Sequence, residues 1–287
     1  MSKDYTKVII IGAPRSGTNM LRDVLTLVPG VDTWPCDEIN YIWRHGNRNC
    51  ASDELTVKNA SPRVIEYINS EFDRIRMKYN SDVVVEKTCA NSLRVDFVNK
   101  VLPDAKYIFI VRDGIDVIGS AKKRWKAKLN IKYIIEKVRF VPKFDLPFYL
   151  FRYLWSRLYK TFSNEKRLSF WGPIFKDMPE IAKSHSLDEV CALQWQRCVD
   201  LSDTAFDNIP SDRVYRVRYD DFVKRPADQL LSIFEFIGKE IDEEAINKLV
   251  FGISARSLGK GRNEFSENDI KHLESLISST LARHEYI

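Results

Sequence analysis

Lys7-Val8-Ile9-Ile10-Ile11-Gly12-Ala13-Pro14-Arg15-Ser16-Gly17-Thr18-Asn19 begins with an unbroken β-branched run, the composition of a strand buried on both faces. A turn from Gly12 to Gly17 follows at once, and then a helix expected from Thr18 to about Val28, which Pro29-Gly30 ends. Strand, glycine-bounded loop and helix in this order aim backbone N–H groups and a helix N-terminus at an anion. Gly12-x-x-x-x-Gly17 has the glycine spacing of a Walker A loop, but Thr18 and Asn19 stand where that loop has its Lys-Ser/Thr pair. The lysine for the β- and γ-phosphates and the hydroxyl for Mg²⁺ are therefore missing, which weakens an ATPase or kinase reading. What remains is the Arg15 guanidinium, the backbone of Gly17 and the neutral donors Ser16, Thr18 and Asn19, a set suited to an anion without a metal.

The same unit recurs further along the chain. Val83-Val84-Val85 runs through Glu86-Lys87-Thr88 to a helix expected over Leu93 to Leu102, and Lys106 to Val111 runs through Arg112-Asp113-Gly114 to a helix from Ile115 to about Trp125. Val214 to Tyr219 supplies another strand and Pro226 to Gly238 another helix. Alternating strands and helices predict an α/β fold: a three-layer sandwich with a mostly parallel central sheet, similar to the P-loop NTPases, as one domain over 1–287. Ligands of such sheets bind beyond the carboxyl ends of the strands, where all three loops lie.

The net charge of +5 is unevenly spread. Between Lys122 and Arg167 stand 14 lysines and arginines against three acids, so the rest of the chain is net acidic. Twelve aromatics between Tyr133 and Trp171 are interleaved with these cations. An insert at about 126–186, helical or irregular, is thus expected to contact an anionic acceptor or a membrane surface, or else to pack its aromatics inward. No nucleic-acid-binding motif accompanies the charge. The N-terminus has no signal peptide pattern and no uncharged run reaches membrane-spanning length, so a cytoplasmic protein, at most peripheral to a membrane's inner face, is expected. The five cysteines form no C-x-x-C pair and no zinc spacing, so neither disulfide nor metal is expected.

Pro14-Arg15-Ser16-Gly17-Thr18 resembles the 5′-phosphosulfate loop of the sulfotransferase superfamily. Tyr107 to Ser120, with Arg112 at a strand end and Ser120 eight residues later, is similar to its 3′-phosphate segment, and Glu86-Lys87-Thr88-x-Ala90-Asn91 to the segment whose lysine approaches the transferring group. Leu258-Gly259-Lys260-Gly261-Arg262 resembles the loop that closes over the nucleotide, though it departs from the commoner Arg-Lys-Gly order. The resemblance implies a 3′-phosphoadenosine-5′-phosphosulfate (PAPS) donor, with 3′-phosphoadenosine-5′-phosphate (PAP) as product and no metal. Binding would fall to Arg15, Ser16, Gly17, Thr18, Asn19, Arg112, Ser120, Tyr219, Lys260, Gly261 and Arg262. Arg15 and Lys87 would also stabilise charge during transfer. Adenine needs an apolar wall, for which Trp34, Tyr219, Trp195 and Phe265 are candidates, although Trp195, at helical spacing beside Cys191 and Cys198, reads better as core.

An acceptor hydroxyl or amine also needs a base. Glu38 resembles the catalytic glutamate of tyrosylprotein sulfotransferases, offset by two residues; Asp37 and His45 are the alternatives. The acceptor class stays open among a glycan, a lipid-linked sugar, a small metabolite and a peptide tyrosine. Competing readings are a small-molecule P-loop kinase and a non-catalytic nucleotide-fold protein that binds membranes or polyanions.

Overall fold

A computed structural model of the protein describes residues 5–126, 147 and 171–287. Its five-stranded sheet is built from β1 (Thr6–Ile11), β2 (Val31–Asp32), β3 (Val83–Lys87), β4 (Lys106–Val111) and β5 (Val214–Arg218), in the order β2-β3-β1-β4-β5, and every pairing is parallel.

The helices follow as α1 (Thr18–Leu25), α2 (Asn40–Trp43), α3 (Pro62–Tyr79), α4 (Val95–Val101), α5 (Gly114–Trp125), α6 (Met178–Ser184) and α7 (Leu187–Phe206). After β5 come α8 (Tyr219–Lys224), α9 (Pro226–Ile237), α10 (Glu243–Val250), α11 (Glu267–Leu276) and α12 (Ser278–Arg283).

Alternation along the strands divides the interior in two. Val8, Ile10, Val83, Val85, Ile108 and Ile110 pack against α1, α8, α9 and α10. Ile9, Ile11, Val84, Tyr107, Phe109 and Val111 pack on the other face against α3, α4, α5 and α7. Helices therefore cover both faces, as the sequence pattern predicts. The same alternation places Glu86 on the Val84 face and Lys87 on the opposite one. The parallel register aligns Ile10 with Lys87 on one side and with Ile108 on the other. Across the carboxyl edge the order is thus Lys87, the 12–18 loop, Arg112 and then Tyr219.

Several boundaries differ from the sequence reading, among them that of β3, which runs to Lys87 instead of ending at Val85. α1 stops at Leu25, because the amide and hydroxyl of Thr26 both donate to the Arg22 carbonyl and the next bonds tighten to i→i+3. The helix expected over Leu93 to Leu102 is a 3-10 turn (Cys89–Leu93), a break at Arg94 and then α4. Arg94 leaves the helical conformation because its guanidinium is drawn inward to Asn91 Oδ1 (2.9 Å) and Asn40 Oδ1 (2.6 Å). Tyr219 opens α8 instead of ending β5.

The insert expected at about 126–186 lies mostly outside the described residues. At its C-terminal end, α6 is helical and Gln194 Nε2 donates to the carbonyls of Trp171 and Pro173, both at 2.9 Å. The Ser186–Glu189 capping box starts α7, which carries Gln194. Among the described residues no helix is long and apolar enough to cross a membrane, and the five cysteines form no disulfide.

Candidate functional site

The 12–18 loop is shaped by its backbone. Arg15 and Gly17 take the left-handed conformation at φ 73° and 90°, which at Gly17 costs nothing because no Cβ is present. A side chain there would meet the Tyr219 ring 2.5 Å away, so glycine is required for space as well. Ser16 Oγ is fully buried beneath the loop with no hydrogen-bond partner among the described residues. Thr18 is also buried, with its hydroxyl 3.7 Å from Cys89 Sγ. A buried hydroxyl without a partner is costly unless a ligand completes it.

Beside this loop, the end of β4 delivers Arg112. Its Nη2 donates to Asp116 Oδ2 (3.0 Å) and to the Ser257 carbonyl (2.6 Å), while Nη1 reaches the Arg15 carbonyl only at 3.4 Å. Nε is buried and has no partner among the described residues. The guanidinium stacks on Tyr219, 4.5 Å from the ring centroid, and the Tyr219 hydroxyl meets Ser257 Oγ at 2.6 Å. Arg15 keeps solvent access, and its Nε donates to Ser120 Oγ at 2.9 Å. Partial burial, followed by the fields of Arg124 and Arg112, lowers the Arg15 pKa, outweighing Cys89 and Asp37. Cations that repel one another around unsatisfied donors make a site for a multivalent anion.

One strand away is a second cluster. Lys87 at the end of β3 is buried and pairs with Glu38 Oε1 (3.0 Å) and Asp37 Oδ1 (3.4 Å). Burial alone would lower its pKa, but Glu38, together with Cys89 and Asp37, outweighs this and holds it above the ordinary lysine value. Glu38 Oε1 also accepts the Cys89 amide at 3.3 Å. Asp37 is tied to α1: its Oδ1 accepts from Asn19 Nδ2 (2.7 Å) and Arg22 Nη1 (3.3 Å), and its carbonyl accepts from Arg22 Nη1 at 2.7 Å. Asn19, expected to be a phosphate donor, is used here to hold Asp37. His45 instead lies against Tyr67, with ring centroids 4.1 Å apart.

The segment bearing Glu38 is fixed from below by a buried polar network. Thr88 Oγ1 donates to Glu86 Oε1 (2.5 Å) and accepts from the Ile39 amide (3.2 Å), and Asn91 Nδ2 donates to Glu86 Oε2 (2.9 Å). Arg94 links Asn91 to Asn40, and the buried Asp53 binds Arg44 at 2.8 Å and Asn40 at 3.3 Å. Burial pushes the Glu86 carboxyl up to about 7, against the pull of Thr88, Lys87 and Arg94. Since its folded pKa exceeds its ordinary 4.5, the stability it contributes is complete below that value and is lost as pH rises through 7. Relative to Glu86→Gln, the parent should lose about 2 to 3 kcal/mol of unfolding free energy between pH 5 and pH 8. Urea denaturation at the two pH values measures this.

The structure brings Arg15, Ser16, Gly17 and Thr18 together with Arg112, Ser120 and Tyr219, and places Glu38 and Lys87 beside them across the sheet edge. It places Arg15 on Ser120, at the Arg112 end. Of the 258–262 loop, Gly261 is buried against α5, Arg262 pairs with Asp113 (2.9 Å) and Glu274 (2.7 Å), and Lys260 is exposed. One adenine candidate, Trp34, is corrected, while Trp195 takes the core place that its spacing with Cys191 and Cys198 predicts. Trp34 is buried against Phe72, with ring centroids 4.8 Å apart, and Trp195 is buried with Nε1 on the Arg112 carbonyl. Both are core residues. Phe265 is half-buried, with Lys122 Nζ 5.4 Å from its ring centroid. Sequence reasoning missed Asp116, Ser257 and Arg124; the i, i+4 spacing of Arg112 and Asp116 was the available signal for the first. Among the described residues no His, Cys, Asp and Glu side chains gather as a metal site.

The fold recurs in solved structures. Sulfotransferase STF9 from Mycobacterium avium is similar to the chain at 13% identity, covering 98% of this chain and 77% of its own, with a TM-score of 0.57. The sulfotransferase domain of the Synechococcus PCC 7002 olefin synthase is similar at 15% identity, covering 98% and 96%, with a TM-score of 0.57. Mouse sulfotransferase SULT7A1, solved with PAP, is similar at 12% identity, covering 98% and 86%, with a TM-score of 0.52. At these identities the likeness establishes the fold. No curated protein matches the chain in sequence. The sequence profile of the sulfotransferase family, however, matches residues 7–141 and 154–243, a span that takes in the phosphate loop, Glu38, Lys87, Arg112 and Ser120, and the chain belongs to that family.

Proposed function

We propose that this sulfotransferase uses PAPS as donor, bound across the carboxyl edge of the sheet, and passes its sulfuryl group to an acceptor hydroxyl or amine activated by Glu38. The observation that carries the reading is the pair of buried donors, Ser16 Oγ and Arg112 Nε, that have no partner among the described residues. They flank a loop whose neighbouring arginines need an anion, and the Lys87–Glu38 pair stands one strand away. The 12–18 loop amides and Ser16 would hold the 5′-phosphate. Arg15, Arg112 and Ser120 would hold the 3′-phosphate, which ADP and ATP lack.

PAPS supplies the sulfuryl group and leaves as PAP. The acceptor oxygen or nitrogen forms a bond to sulfur while the bond from sulfur to the 5′-phosphate oxygen breaks, and the acceptor proton passes to a Glu38 oxygen. Lys87 neutralises charge growing on the departing oxygen, a task of fixed electrostatics and not of covalent chemistry. Glu38 suits the role of base better than Asp37, because three donors from α1 and β3 crowd one Asp37 oxygen. Mixing the protein with PAPS, a chelator and a panel of phenols, sugars and amines should release PAP only when an acceptor is present. Release of product from ATP instead, with PAPS untouched, would sink the reading.

A further inference from the structure

Asp116 lies on the first turn of α5 and is 3% exposed. Its carboxylate has no place in the expected binding set, yet it accepts three hydrogen bonds from two different elements. Oδ2 takes Arg112 Nη2 (3.0 Å) and the Gly259 amide (2.9 Å), and Oδ1 takes the Gly261 amide (2.7 Å). One buried carboxylate thereby joins the arginine at the end of β4 to the loop that crosses it. The same loop returns the Ser257 carbonyl to Arg112 Nη2 and the Ser257 hydroxyl to Tyr219.

Steric fit reinforces the electrostatics. A methyl group at Gly261 would lie 2.3 Å from the Asp116 Cα, and one at Gly119 would lie 2.8 Å from the Gly261 Cα. Glycine inside a helix lowers its stability, and at Gly119 this is offset by the close seat it gives the loop. Asp113 Oδ2 on Arg262 Nε (2.9 Å) and Lys123 on Glu264 (2.7 Å) fasten the far end of the loop to the same helix.

We propose that Asp116 is the positioning residue that couples Arg112 to the 257–262 loop, so that the 3′-phosphate is read by arginine and loop as one unit. Asp116 itself touches no ligand. With Nη2 held by Asp116 and Ser257, the donors left to the phosphate are Nε and the weakly bound Nη1. A carboxylate that fixes one edge of a guanidinium presents the rest in a defined direction. It also answers the Gly261 amide, which would otherwise be buried without an acceptor. The proposal rests on the PAP reading of the site, and its test separates the two.

Asp116→Asn keeps the shape but replaces an acceptor with a donor facing N–H groups. Gly261→Ala leaves the carboxylate intact and displaces the loop by contact with backbone. Calorimetry with PAP and with adenosine 5′-phosphate, which lacks the 3′-phosphate, should show each variant losing about tenfold to a hundredfold in PAP affinity. In Asp116→Asn, affinity for adenosine 5′-phosphate should stay near the parent's. Trypsin, which can cut at Arg256, Lys260 and Arg262, should cleave the ligand-free loop faster in both variants than in the parent. Unchanged cleavage in both variants, or an unchanged preference for PAP over adenosine 5′-phosphate in both, overturns the assignment. If the parent itself shows no such preference, the PAP reading has failed, and the cleavage rates alone still decide whether Asp116 holds the loop.

Discussion

Glu38→Gln should lower turnover by about 10² to 10⁴-fold, the usual contribution of a positioned base, while leaving PAP affinity near that of the parent. The amide matches the carboxylate in shape and can still accept from the Cys89 amide, so the segment should keep its place. What it loses is the ability to take the acceptor's proton as attack proceeds. The effect belongs in kcat and kcat/KM together, because the interaction is made in the transition state. His45→Asn serves as the control, since His45 is spent on the Tyr67 ring, and it should be mild. A severe His45→Asn with a mild Glu38→Gln would move the base to the imidazole.

Lys87→Met should lower turnover by about 10² to 10³-fold, on the scale of removing one fixed donor from a developing anion. Methionine fills most of the buried space of the lysine stem, so the fold should survive. A second readout separates lost charge from simple damage. Lys87 stands 3.0 Å from Glu38, and a cation at that distance favours the ionised carboxylate. Without it the Glu38 pKa rises, so the acid limb of the pH–rate profile should move to higher pH. A profile with the parent's acid limb and reduced amplitude would show that Lys87 does not act on Glu38.

Much of this arrangement was legible in the sequence for local reasons. The glycine-bounded loop after β1 and the strand-ending Arg112 with Ser120 on α5 depend on neighbours within about a dozen residues, and their order gives the parallel sheet. Lys87 was readable as a loop residue just after a strand on the same edge, and the structure includes it as the last residue of that strand. What was not readable depends on contacts far apart in the chain. Trp34 looks like an adenine wall until Phe72 is seen to take it. Asn19 was readable only as a phosphate donor, and not as a side chain that also donates to Asp37, 18 residues away. Glu86 lies within a motif read mainly for its lysine, yet it is bound to Thr88 and Asn91 beneath the Glu38 segment. Nothing in the linear order pairs Asp53 with Arg44 and Arg94, or Asp116 with amides more than 140 residues later. Burial decides these pairings, because a charged group removed from water must find whatever partner the packing brings.

The most direct measurement is calorimetric titration with PAP and with ADP, in the presence of a chelator. PAP should bind without Mg²⁺ and at least about tenfold more tightly than ADP, and Arg112→Ala should remove about 1.5 to 3 kcal/mol of the PAP binding energy, the usual worth of a hydrogen bond to a charged group. Equal affinity for the two nucleotides, or binding that requires Mg²⁺, would contradict a donor recognised by its 3′-phosphate through Arg112.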